Sequence, residues 1–157
     1  MSLQKSFDII RSSRKALINF TADLSPEQLN YIPTQMKNNI IWNIGHVIAV
    51  QQNFCYKNSD LDTIISPLII ERYWAGTKPD GLTTIAEYEL LRADLLSHVD
   101  RLEGDYHKGI FVTYQGREFK TYPGLAVNNI EEAVNFVAFH DGLHLGYVMA
   151  LKHHVAV

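Results

Sequence analysis

The sequence predicts an all-α protein: a four-helix bundle with long crossover connections and a small hairpin or extended loop before the last helix. Three observations lead there. Apolar residues recur at helical spacing in four long stretches. Cap-like sequences open most of them. The segments joining the second stretch to the third, and the third to the fourth, are too long for tight turns, which favours crossovers over an up-down-up-down path.

The first helix is expected from about Leu3 to Ala22, with Phe7, Ile10, Leu17, Ile18 and Phe20 as its apolar stripe and Lys5, Arg11, Arg14 and Lys15 elsewhere. Ser25-Pro26-Glu27-Gln28 reads as a fresh helix start, with a serine cap, proline in the first turn and an acid after it. The second long helix starts at Asn38 or Asn39 and runs through Ile40, Ile41, Ile44, Val47, Ile48 and Phe54 to about Tyr56. Ser66-Pro67 opens a short helix to Trp74. Thr84-Ile85-Ala86-Glu87 has the form of a capping box and opens the third long helix, to about Leu102, with Gly104 ending it. Phe111–Tyr114 and Glu118–Tyr122 are rich in β-branched and aromatic residues around Gln115-Gly116-Arg117, the pattern of a small hairpin. The fourth long helix runs from about Ile130 to Lys152 behind a cap-like Asn129.

The chain has 157 residues, the size of one ordinary domain, read as residues 1–157 without a linker. Hydrophobic residues make up 46% and charged residues 20%, a globular balance. The net charge of −3 and the absence of a basic stripe argue against a nucleic-acid surface. No apolar run approaches a membrane span and the N-terminus lacks a signal-peptide core, so a soluble, cytoplasmic protein is expected. A single cysteine, Cys55, fits that reducing compartment and reads as a small buried apolar residue.

His140 and His144 are four residues apart on the fourth helix, so their rings share one face and can meet at one point. Aspartate follows His140, so this is not the zinc-protease motif with its glutamate base. His46 lies among Ile44, Val47 and Ile48, where a buried ring needs partners. Gly45, Gly142 and Gly146 beside the three histidines suggest close helix packing. Three histidines form the ligand set of an open, catalytic type of metal site, with zinc, nickel, cobalt and copper all compatible. Asn43, Asn53 and Tyr147 share the histidine faces and are candidates to orient ligands or bind substrate. His98 is expected to face outward, His107 to lie in a loop, and His153 and His154 to sit solvated at a helix end.

Ile41-Trp42-Asn43-Ile44-Gly45-His46 and Phe139-His140-Asp141-Gly142-Leu143-His144-Leu145-Gly146, with Pro123-Gly124 before the last helix, resemble the DinB-like superfamily over nearly the whole chain. The resemblance implies a four-helix bundle, a divalent metal (zinc or nickel) on His46, His140 and His144, and frequent homodimers. Relatives include S-transferases and isomerases that use a low-molecular-weight thiol on a small-molecule substrate, the thiol being activated by the metal. One departure is Gly146-Tyr147, where many members read Gly-Gln, so no role of that glutamine carries over. A metal-dependent hydrolase and a non-catalytic helical protein with a structural or regulatory metal stand as alternatives. A fourth helix that is apolar on more than one side, with Val134, Phe136, Val137, Phe139, Leu143, Leu145, Val148 and Met149, fits either a homodimer or a central position in the bundle.

Overall fold

The computed structural model of the chain describes residues 3–119 and 121–155. Its helices are α1 (Leu3–Thr21), α2 (Pro26–Asn30), α3 (Ile40–Gln51), α4 (Pro67–Arg72), α5 (Ile85–His107) and α6 (Ile130–Val155). The four long ones, α1, α3, α5 and α6, form the bundle. Helix α1 packs chiefly against α5 and α6, and α3 against the same two, so α1 and α3 stand on one diagonal. Successive long helices are neighbours in an up-down-up-down bundle; here α1 and α3 are not, and α5 and α6 are not, so the connections cross over.

Local chemistry starts each element. Ser25 and Thr84 form reciprocal capping boxes with Gln28 and Glu87. Of the two asparagines before α3, Asn39 is the cap: its side chain accepts from the Trp42 amide at 2.8 Å. Ser66 caps α4, and the Asn129 side chain accepts from the Glu132 amide at the head of α6. Helix α3 passes into a π-helical turn, Gln52–Tyr56, and then a short 3₁₀ turn that closes with Asp60 at φ 57°.

Two expectations about elements are corrected, and one about a side chain. Helix α5 does not stop at Gly104; it runs to His107, because the left-handed conformation that ends it is taken by Gly109 (φ 70°). Of the two readings for Phe111–Tyr114, hairpin strand or extended loop, the extended loop holds: among the described residues it does not pair with Glu118–Tyr122. It is held instead to the end of α3's continuation, where the Gln115 amide donates to the Asn58 carbonyl at 2.6 Å and the Thr113 hydroxyl to the Ser59 carbonyl at 3.0 Å. The small antiparallel pair before α6 joins β1 (Arg117–Glu118) to β2 (Ala126–Val127), with Arg117 opposite Val127. His98 points inward, 6% exposed.

The centre of the bundle holds a charge. Arg14 is completely buried and bonds to all three other long helices. Its Nε donates to Asp141 of α6 at 2.7 Å, and its Nη1 donates to Gln51 of α3 at 2.6 Å and to the Leu95 carbonyl of α5 at 3.0 Å. Nη2 donates to the Val47 carbonyl at 3.3 Å, and Gln51 in turn donates to the His98 carbonyl at 2.8 Å. Apolar clusters lie on both sides of this knot, one with Leu17, Ile44, Ile48, Leu95 and Val148, the other with Phe7, Ile10, Val50, Val99 and Val137. Burial pushes the Asp141 carboxyl up and the Arg14 guanidinium pulls it back.

A buried charge stripped of its partner is strongly destabilising, whereas an apolar replacement of both partners is tolerated far better. Asp141→Ala should therefore lower unfolding stability by about 3–5 kcal/mol. The double variant Arg14→Met/Asp141→Leu should recover much of that loss in urea titrations. Equal losses in the two proteins would show that the charge itself is not what needs Asp141.

Candidate metal centre

Helices α3 and α6 pack against each other and bring three histidines together. His46 sits mid-way along α3, and the four-residue spacing on α6 puts His140 and His144 one turn apart on the facing side. Ring centroids are 5.0 Å apart for His46 and His140, 4.7 Å for His46 and His144, and 4.5 Å for His140 and His144. One nitrogen from each ring lies within 4.8 Å of the others. His46 and His140 are buried and His144 is partly exposed, so the cluster is reached from one side.

Two of the rings are aimed by carbonyl oxygens. His46 Nδ1 lies 2.7 Å from the Tyr73 backbone carbonyl, and His144 Nδ1 lies 2.7 Å from Asn43 Oδ1. A carbonyl only accepts, so each Nδ1 carries the proton and each Nε2 is left with its lone pair free. The Asn43 amide is itself oriented, because its Nδ2 donates to the Asn39 carbonyl at 2.8 Å. Trp42 stacks on His46 at 4.6 Å, and its indole NH donates to Thr77 at 3.0 Å. His140 packs at 5.7 Å against Phe136, and its buried Nδ1 has no partner among the described residues.

Gly45 has a specific reason to be glycine. A Cβ there would overlap the Tyr73 ring, which lies directly on the α3 backbone and so delivers the Tyr73 carbonyl to His46. Gly142 and Gly146 differ from that expectation: both are exposed, and a Cβ on either would meet nothing within 4 Å. They admit no close helix, since the packed face of α6 carries the histidines and the opposite face carries the glycines.

Burial favours the neutral ring at all three positions. It pushes His140 down to about 2, helped by repulsion from the other two histidines and from Arg14. It pushes His144 down to about 3, helped by His46. His46 is also lowered by burial, partly offset by the Tyr73 carbonyl. Neutral imidazoles with free lone pairs, one of them an orphaned buried nitrogen, are the donor set that a borderline divalent cation takes. A divalent cation fits these residues.

Of the other residues marked from the sequence, Asn43 joins the cluster directly. Asn53 lies on the π-helical turn and Tyr147 half-buried beside Val148. Neither side chain bonds to a histidine among the described residues. Sequence reasoning does not single out Tyr73 or Trp42. Tyr73 acts through a backbone carbonyl, which leaves no trace in residue type, and Trp42 has the pattern of ordinary apolar core. Among the described residues no carboxylate or thiol joins the histidines. Asp141 is turned away onto Arg14, and Cys55 is fully buried with its thiol pushed up by desolvation.

A helical bundle with a three-histidine cluster between its second and last long helices defines a class of candidate metalloproteins. The chain matches the DinB superfamily model over residues 9–148 and belongs to that superfamily. A comparison with curated proteins finds no match.

Two outcomes follow from the geometry. Asn43→Leu removes the acceptor that aims His144, and metal affinity measured by competition with a chelator should fall about 10- to 100-fold. Unchanged affinity would mean that His144 is held by packing alone. For the metal-free protein, folded-state values below the ordinary histidine value of 6.5 mean that the unfolded chain binds more protons as pH falls. Stability is then fully present above about 6.5 and is lost progressively below it. The urea midpoint should drop between about pH 7.5 and about pH 5.5, and a flat profile would contradict neutral, buried rings.

Proposed function

We propose that the protein is a metal-dependent enzyme that holds one zinc or nickel ion on His46, His140 and His144 and uses a low-molecular-weight thiol in S-transfer to, or isomerisation of, a small-molecule substrate. The observation that carries this reading is a cluster of three neutral histidines that no carboxylate or thiol among the described residues joins. Three neutral ligands leave the ion's charge intact and at least one position open. Such an ion supplies Lewis acidity and a lowered pKa for a thiol placed on it.

The chain's own part is positional. Asn43 and the Tyr73 carbonyl hold Nε2 of His144 and His46 toward the shared point. Trp42 covers one side of His46, and Phe136 covers His140, keeping bulk water from the inner face. With Asp141 committed to Arg14 and Cys55 sealed in the core, the described residues offer neither a carboxylate base nor a thiol nucleophile there, so an external thiol is the simplest nucleophile. That absence weighs against a hydrolase that needs a carboxylate base. The cytoplasm, where small thiols are abundant and a lone cysteine stays reduced, suits this chemistry. Phe139, Leu143 and Met149, exposed along α6, support a homodimer built on that helix.

The test is turnover of electrophilic test substrates by the metal-loaded protein with and without added thiol. Rate should depend on the thiol and fall to background in His144→Ala. Thiol-independent turnover, or turnover that survives His144→Ala, would remove the proposal.

A further inference from the structure

Arg117 is the exception among the arginines. Arg11, Arg14, Arg72, Arg92 and Arg101 each lie against a carboxylate. Arg117 meets none among the described residues. Its guanidinium sits instead over two aromatic faces, 5.4 Å from the centre of Phe54 and 6.0 Å from that of Trp74. Ring faces attract the cation without using its N–H groups, so the donor fork stays available on an exposed residue.

Both rings beneath Arg117 lead to the histidines. Phe54 packs at 4.8 Å on Phe136, and Phe136 packs at 5.7 Å on His140. Trp74 directly follows Tyr73, whose carbonyl holds His46. Phe54 belongs to the π-helical turn, the kind of irregularity that often marks functional positions in helices. Arg117 is also the register partner of Val127, and Val127 helps line a cleft of about 210 Å³ with Leu125, Asn135, Phe136, Phe139 and Glu132, whose carboxylate is taken by the Asn128 amide at 2.8 Å. Opposed residues of an antiparallel pair share a face, so Arg117 and Val127 lie on the same side of the strands. Phe136 belongs to both the cleft and the wall of His140. The chain's net charge is −3, so an unpaired cation held at this place is a local feature and not part of a basic surface.

We propose that Arg117 receives the anionic group, a carboxylate or phosphate, of the small molecule that reaches the three histidines. The inference rests on the reading of those histidines as the reaction centre. A planar guanidinium with its fork free matches a carboxylate or phosphate in a two-point contact, and the aromatic platform fixes its plane in advance.

The experiment titrates zinc-loaded protein with succinate and, separately, with inorganic phosphate, following tryptophan fluorescence, to which Trp74 beneath the guanidinium contributes. Zinc content is read in parallel by elemental analysis. Arg117→Gln should weaken binding of the preferred anion about tenfold or more at equal zinc content, with Arg117→Lys keeping part of the affinity. Equal affinities in the native protein and Arg117→Gln, or no binding of either anion to the native protein, would overturn the proposal. If the protein takes up no zinc, the metal reading fails. The same titrations on metal-free protein then decide Arg117 by the same comparison.

Discussion

The guanidinium of Arg14 touches every long helix of the bundle, and the arrangement of the histidines depends on it. It takes Asp141 from α6, Gln51 and a carbonyl from α3, and a carbonyl from α5. Each bond has direction, unlike the apolar contacts above and below, so together they set how far each helix is rotated about its axis. Asp141 is the residue next to His140. Once its carboxylate faces Arg14 at the bundle centre, the ~100° step of the helix turns His140, and with it His144 one turn on, toward α3. A buried ion pair adds little net stability; what it adds to this core is directed contact with three helices.

The rotation of α6 meets a matching rotation of α3. Val47 and Gln51 face Arg14, and His46 faces α6. The two helices are then joined a second time through the cluster, because Asn43 of α3 aims His144 of α6. Asn43 is aimed by the carbonyl of the residue that caps its own helix. Helix start, ligand orientation and interhelical contact are thus one chain of hydrogen bonds, Asn39 to Asn43 to His144. Tyr73 does the same for His46 from α4's end, and Gly45 is the opening that lets it approach.

Much of this is legible in the residues. Spacing puts His140 and His144 on one face, apolar neighbours mark His46 as a ring in need of partners, and Asn39, Ser66 and Thr84 announce their helices. The residues hardest to read are polar groups in apolar phase. Arg14 falls in step with Phe7, Ile10 and Leu17, and His98 with Leu91, Leu95 and Leu102, which is the pattern of a buried stripe. Residue type argues the other way, because only a partner elsewhere in the fold makes such burial tolerable. The segment Phe111–Tyr114 has strand-like composition but is held by the carbonyls of Asn58 and Ser59, contacts between segments far apart in the chain that no local pattern encodes. The Tyr73 carbonyl belongs to the same group: backbone atoms carry no signature of their use.

The central claim is that three neutral histidines between α3 and α6 bind one divalent ion. Elemental analysis of protein purified without an affinity tag, from cells grown with zinc and nickel supplied, tests it most directly. One zinc or nickel per chain, surviving dialysis and lost in His46→Ala, is the predicted result. Protein that is folded, has all three histidines and carries no metal would contradict the account.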